Sequence, residues 1–417
     1  MGTETGRGLA LLAGRDDQGA SDFLAWRDQV LAQVQAPDWP SVDREAWRAT
    51  DLQPVLDKDW RLAMAVGREA VTPELLPELP ARVWRINGQV VDHTVLPAGV
   101  TLGEWKDLTA AERERLGAGL PADGLTALNQ AAVSQVLVVR AKGEVAEPVH
   151  GLHYSRAETT PVLVCPRWVL MVEAGARLTW VEDYASAGAT WTNGVSEIFL
   201  GPGSQLTHYL IQRESWESAH LLRMAVHQAR DSHYTLRVVS AGAFWSRCEP
   251  SIYQEGPGAT TVLRGLSLVG GRQHSDMHSR IVHDHPQGTS RQLHKCVVAH
   301  QGQAVFHGNI RVAAAAQLTD AGQLNLNLLL SPKARVDTRP QLEIQADNVK
   351  CTHGATVSDL DPDALFYLQS RGLDRQAARL LLVDGFAQEL LREIPFPTLR
   401  QQCQAWMRQL IGTEERL

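Results

Sequence analysis

At 417 residues the chain is long enough to bury a large core and to form two or three structural units. A hydrophobic content of 44% and a charged content of 21% exclude wholesale disorder, and a net charge of −7 with no basic stripe argues against nucleic-acid binding. Five scattered cysteines (165, 248, 296, 351, 403), odd in number and never spaced as CxxC, disfavour a disulfide framework or zinc ribbon and fit a reducing compartment.

Residues 1–19 lack the charged-then-apolar design of a leader, and no run approaches the roughly 20 apolar residues that span a bilayer. A soluble, cytoplasmic protein without membrane contact is expected. Ser21–Val34 predicts a helix, with Ser21 as its cap and Phe23, Leu24, Trp26, Val30, Leu31 and Val34 at helical spacing. Pro37 and Pro40 end it. A short helix over Arg44–Thr50 would bury Trp47. A region punctuated by Pro54, Pro73, Pro77, Pro80 and Pro97 follows, in which Asn87-Gly88 joins two apolar runs as a hairpin turn. Further helices are predicted over Ala110–Leu116 and Gly124–Ala132. Residues 1–130 thus read as a mixed, mostly helical N-terminal domain.

From Val136 the texture becomes β. Short apolar runs at Val136–Val139, Val169–Val172, Ile198–Leu200 and Leu206–Ile211 are separated by Gly and Pro. Four similar segments begin at Gly175, Gly203, Asp231 and Gly258, spaced 28, 28 and 27 residues apart, with weaker echoes at Gln303 and Lys333. A period of this length indicates a solenoid with one layer per repeat. Alternation within the strands (Leu222, Met224 and Val226 against Arg223 and His227) turns one face inward. A β-sandwich is the competing reading, but the fixed period favours a coiled stack over residues 131–357. A solenoid has two open ends. The N-terminal domain can cover one, and C-terminal helices or a second protein the other.

Residues 358–417 predict a helical domain. Asp361-Pro362 supplies an N-cap and first-turn proline, and Arg371-Gly372 closes that helix. Asp374 caps Arg375–Asp384, Gly385 interrupts, and Phe386–Ile394 continues. Thr398–Ile411 is a last amphipathic helix. Its apolar stripe and those before it serve either docking on the body of the protein or binding of a partner.

The chemistry concentrates at Lys350-Cys-Thr-His-Gly-Ala-Thr356. Cys351 and His353 stand two positions apart on a strand, so thiol and imidazole share a face. They suit soft transition metals, yet an iron–sulfur cluster usually takes four protein ligands, so this chain alone should not hold one firmly. The plain alternative is a small core cysteine beside a hydrogen-bonded histidine. His274, His278, His283 and His285 form a second histidine-rich stretch; His283 and His285 could share a strand face, though the stretch fits a solvent-facing edge of polar and turn residues better. Cys165, Cys248 and Cys296 read as core. There is no GxxxxGK[ST] sequence, so ATP hydrolysis would reside in a partner.

Several segments together resemble the SufB/SufD family, scaffold subunits of the SUF iron–sulfur cluster assembly machinery. They are Ala304-Val-Phe-His-Gly-Asn-Ile-Arg-Val312, Ala316–Ala321, Asn327–Ser331, Asp337–Ile344, Lys350–Thr356, Phe366–Gly372 and, near the N-terminus, Arg44–Leu52. The dense match covers residues 265–390, and Cys351-Thr-His-Gly is similar to the SufD form of the motif. Asn348 and Thr352 depart from it, standing where aspartate and serine are more usual.

The resemblance implies a mainly β fold, a right-handed parallel β-helix (β-solenoid) core flanked by N-terminal and C-terminal helical regions. It implies a non-catalytic scaffold in a complex with a SufB-type subunit and a SufC-type ATPase. SufC would dock on the C-terminal helices through Phe366, Tyr367, Arg371, Leu380 and Phe386. The β-helices of the two scaffold subunits would pair near their last strands, where His353 and Cys351 would meet iron or a nascent cluster held only transiently. The implied complex leaves room for a flavin, and the isolated chain could pair with itself as a homodimer. Two other readings are a stand-alone β-helix enzyme acting on a carbohydrate polymer through surface carboxylates, and a metal-storing protein using the 274–285 histidines.

Overall fold

A computed structural model describes residues 11–17, 19–35, 37–68 and 74–412. Pro73 and residues 1–10, named above, lie outside this set. The architecture is a parallel β-solenoid of about 8 turns with helices at both ends of the chain. Each turn gives one strand to sheet A and one to sheet B. Among the described residues sheet A has 11 strands and ends at Arg335–Ile344; sheet B has 10 and ends at Lys350–Asp359.

Register explains the repeat. Arg177, Gln205, His233, Thr260, Thr289, Asp320 and Lys350 stand in one column of sheet B. The segments beginning at Gly175, Gly203, Asp231 and Gly258 are therefore the turns that lead into sheet B. The echoes at Gln303 and Lys333 belong elsewhere: Gln303 pairs with Arg335 in sheet A. Every coil carries two turn-and-strand units, and their local patterns are alike.

Inside the stack, like side chains sit above like. Leu170, Ile198, Val226, Ile252, Ile281 and Ile310 form a continuous column of sheet A, buried against Leu178, Leu206 and Tyr234 from sheet B. Each such side chain contributes about 1.5–3 kcal/mol by leaving water.

The N-terminal segment feeds both sheets. Ala81–Ile86 pairs in parallel with Val149–Arg156 in sheet B, and Val100–Glu104 pairs antiparallel with Val136–Ala141 in sheet A. The hairpin to Gln89–His93 turns at Asn87 and Gly88, whose φ angles of 47° and 86° meet the left-handed demand of a tight two-residue turn. The rest of the segment covers the outer face of sheet A. Leu52, Val55, Leu125 and Leu128 pack with Trp47 on Trp191, Leu221 and Trp245. Phe23 and Trp105 pack on Val136, Val169 and Met171.

The Ser21–Val34 helix departs from expectation. It splits into Ser21–Asp28 and Leu31–Gln35, and its cap position is Ala20, with Ser21 inside the first turn. Phe23 and Val34 belong to different clusters, and the break at Gln29-Val30 serves both. Arg44–Thr50 is reduced to a 3₁₀ turn at Glu45–Trp47. Gly124–Ala132 forms as predicted, capped by Asp123.

Residues 44–52 act as a clasp on sheet A. Thr50 Oγ1 donates to Asp276 Oδ2 at 2.6 Å, Trp245 Nε1 to the Asp51 carbonyl at 2.8 Å, and Arg247 Nη2 to the Ala46 carbonyl at 2.9 Å. Beneath it, Arg223 bridges Asp123 and Glu249, and Arg247 bridges Glu249 and Asp276 in an unbroken buried chain.

At the other end the helices are Pro362–Ser370, Arg375–Leu391 and Pro397–Gly412. The middle one runs straight through Gly385. A helical glycine costs about 1 kcal/mol, and burial of Val383, Ala387, Leu390 and Leu391 on sheet B outweighs it. The second and third helices lie on the outer face of sheet B, packed against Ile211, Val239, Leu266 and Val297. They do not cover the last coil. No helix among the described residues is long and apolar enough to cross a membrane.

Replacing Asp276 with Ala leaves Arg247 buried with part of its counter-charge gone. The expected loss is about 3–5 kcal/mol, read as a lower urea midpoint, with weaker attachment of the clasp seen as faster proteolysis around residue 50.

Candidate functional site

Strand Lys350–Asp359 is the outermost rung of sheet B, and Arg335–Ile344 that of sheet A. Cys351 pairs with Ala321 and His353 with Gln323. Paired positions of a parallel sheet point the same way. Ala321 belongs to the interior cluster and Gln323 is buried, so Cys351 and His353 both face the mouth of the solenoid. Cys351 is half-buried against that cluster, while His353 is exposed. Burial pushes the Cys351 thiol up, with the nearby Asp320 carboxylate adding to the effect and a hydrogen bond to the Ala321 backbone opposing it.

Among the described residues no strand covers the rung, so its backbone edge, Cys351 and His353 lie at an open end of the stack. Thiolate and imidazole suit iron, but two donors fall short of a cluster's usual four. Among the described residues no group of three or more His, Cys, Asp or Glu could hold a metal ion.

The floor of this mouth is polar. Gln323, Asn325 and Asn327 are buried in a row on strand Asp320–Leu329. Gln323 Nε2 donates to Gln292 Oε1 at 3.0 Å, and Gln292 Nε2 donates to Ser279 Oγ at 2.7 Å. Gly308, on the facing sheet, makes room: a Cβ there would overlap Gln323 Nε2. Sequence reasoning passed over Gln323. A glycine inside the strand Gln303–Val312 was the available signal, since it marks a close approach.

The second histidine stretch is not a solvent-facing edge. It forms an interior strand of sheet A, His274–His283. His274 meets Thr50 Oγ1 at 3.1 Å, His278 lies edge-on to His307 at 4.3 Å between ring centres, and the buried His283 meets Ser290 Oγ at 3.0 Å. His285 lies beyond the strand in a turn, so it does not share a face with His283. The four are spread among separate partners. Burial lowers His278, His283 and His294 to about 4.

On the C-terminal helices, Phe366 and Tyr367 are 73% and 56% exposed, on a helix that buries nothing. Arg371 lies 5.2 Å from the Tyr367 ring centre. Leu380 lines a groove of about 320 Å³ between the second and third helices, with Leu373, Ala377, Leu381 and Met407. Phe386 turns toward sheet B: Lys295 Nζ donates to its carbonyl at 2.9 Å, pairs with Glu389 at 2.8 Å and sits 5.1 Å from its ring.

The fold is that of a long β-solenoid protein whose end rung carries a thiol and an imidazole on one face. Comparison with known proteins makes the class specific. The family described as "SUF system FeS cluster assembly, SufBD core domain" matches residues 154–386. The chain is 38% identical to an iron–sulfur cluster assembly SufBD family protein of Synechocystis, over 94% of this chain and 92% of that one. It is 35% identical to the chloroplastic protein ABCI7 of Arabidopsis thaliana, covering 92% and 85% of the two chains. It is 28% identical to SufD of Escherichia coli, covering 90% of each. The chain belongs to the SufBD family of iron–sulfur cluster assembly proteins.

Two measurements test the site's surroundings. A thiolate is the reactive form of cysteine. Burial pushes Cys296 and Cys403 up to about 12 and raises Cys165 and Cys248 as well. Iodoacetamide is therefore expected to alkylate Cys351 alone in the native chain, slowly at pH 7.5 and faster as pH rises; labelling of a second cysteine without denaturant contradicts this. Because the buried histidines hold their protons less tightly folded than unfolded, the unfolded chain takes up protons between pH 6.5 and about 4. Stability is expected to fall with pH through that window, giving a lower urea midpoint at pH 5 than at pH 7.

Proposed function

We propose that the chain is a non-catalytic scaffold subunit that pairs end to end with a SufB-type subunit and completes with it a transient site for iron or a nascent cluster. The observation that carries this reading is the uncovered last coil. Two strand edges, Arg335–Ile344 and Lys350–Asp359, lie open beside His353 and Cys351. An open edge of this length is a template for a further strand, and it also carries exposed apolar side chains, Ile344 and Val357, with Leu324 exposed on the strand below. A second solenoid of the same kind meets these demands. It matches the edge and brings the missing ligands. In its absence a second copy of this chain can take the place, which gives a homodimer.

The C-terminal helices are the second docking surface. With the middle and last helices fixed on sheet B, the exposed Phe366 and Tyr367, the Arg371 guanidinium and the Leu380 groove are left for a SufC-type ATPase. The ATPase would supply the work and this chain the lever, since the helices pack on sheet B and the last rung is paired to that same sheet. Approach of two ATPase subunits would then shear the paired solenoids and open the site around His353. Cytoplasmic placement goes with this reading.

The test is His353→Ala in the chain co-expressed with SufB-type and SufC-type partners. The complex is expected to assemble normally and to lose most of its iron and acid-labile sulfide; unchanged content removes His353 from the mechanism. Deletion of residues 361–417 is the matching control for the ATPase. It should abolish co-purification of the SufC-type subunit, and retention of that subunit would place its docking surface elsewhere.

A further inference from the structure

The geometry points to Gln323 as the positioning residue of His353: its side-chain carbonyl accepts the imidazole N–H and thereby turns the other ring nitrogen toward the metal. This rests on the interface reading above and adds a residue to it. Gln323 is 4% exposed, and its Oε1 is a buried oxygen without a hydrogen-bond partner. Such an atom carries a desolvation penalty of about 1–3 kcal/mol until something donates to it. The amide nitrogen is committed, through Gln292 Oε1, to a chain that ends at Ser279 Oγ. With the nitrogen committed to the coil below, the oxygen is the one hydrogen-bonding atom of the amide still without a partner. The residue in register on the outer side is His353.

A neutral imidazole has one N–H and one free nitrogen, and which is which depends on what the N–H meets. Metal-binding histidines nearly always donate that N–H to a carbonyl or carboxylate, which fixes the ring and raises its basicity. In the open rung the His353 ring faces solvent; when a partner closes the mouth, the buried oxygen below is its available acceptor. Gly308 serves the same arrangement, because any side chain there would displace the Gln323 amide.

The experiment uses the complex co-expressed with SufB-type and SufC-type subunits, carrying His353→Ala, Gln323→Leu, Gln323→Glu or Gly308→Ala in turn. Removing a ligand's supporting partner typically costs 10–100-fold in metal affinity. Gln323→Leu, close in size and without an acceptor, is expected to cut iron and sulfide per complex about tenfold at unchanged subunit stoichiometry and melting temperature. Gln323→Glu keeps an acceptor oxygen and should restore most of the content, while Gly308→Ala should copy the Leu variant. If His353→Ala empties the complex and Gln323→Leu does not, Gln323 has no positioning role and the interface reading stands. If His353→Ala changes nothing, that reading fails first. Should Gln323→Leu not assemble, Gln323→Met takes its place in the co-expressed complex: it is expected to lower iron and sulfide about tenfold at unchanged subunit stoichiometry, and full content in that variant overturns the proposal.

Discussion

Parallel, in-register stacking is the constraint from which the rest follows. Each side chain inside the solenoid lies above its counterpart one coil below, so a column tolerates only what its neighbours tolerate. The aliphatic column from Leu170 to Ile310 shows the favourable case, in which each layer closes the one beneath it. The same rule makes the final rung incomplete, since a side chain there has a neighbour on one side only. Cys351 is half-buried because Ala321 and the interior cluster lie below it, and half-open because none of the described strands lies above.

The two outer faces are finished differently from the end. On sheet A the N-terminal segment buries tryptophans and a chain of alternating Arg and carboxylate groups; on sheet B two amphipathic helices bury aliphatic stripes. A buried ionic chain such as Asp123–Arg223–Glu249–Arg247–Asp276 adds little net stability over an apolar equivalent, yet breaking it is costly. It specifies where the segment at 44–52 lies against strands some 200 residues later. Both outer faces are occupied by the chain's own residues, and among the described residues the end rung at 335–359 has no strand above it.

How much of this could be read beforehand depended on whether the signal was local. The period of 28 residues announced the coils, and Asn87-Gly88, Asp361-Pro362 and Asp374 announced a turn and two helix starts through their own side chains. The pairing of Cys351 with His353 on one face followed from strand geometry alone. What escaped were relations across coils. Gln303 and Lys333 looked like further members of one repeat because both sheets are entered by similar turns. The 274–285 histidines looked like an edge because a polar strand reads as exposed until its neighbours are known. In this molecule Thr50, reached from far earlier in the chain, is among those neighbours. Gly385 looked like a break because its local cost is visible and the burial that offsets it is not.

The polar floor of the mouth completes the physical picture. The sheet B column that ends at His353 passes from Leu236 and Leu263 to Gln292 and Gln323, and Asn325 and Asn327 are buried beside it, so the column turns from aliphatic to amide in the two strands before the open rung. Amides there weaken the hydrophobic driving force and leave oxygens such as those of Gln323 and Asn327 without partners, a state a chain selected only for stability would replace with leucine. Their position follows the open end, where a partner and a metal would arrive. The same residues that make the last coils less stable alone would, in the assembly proposed above, hold the His353 imidazole in one orientation.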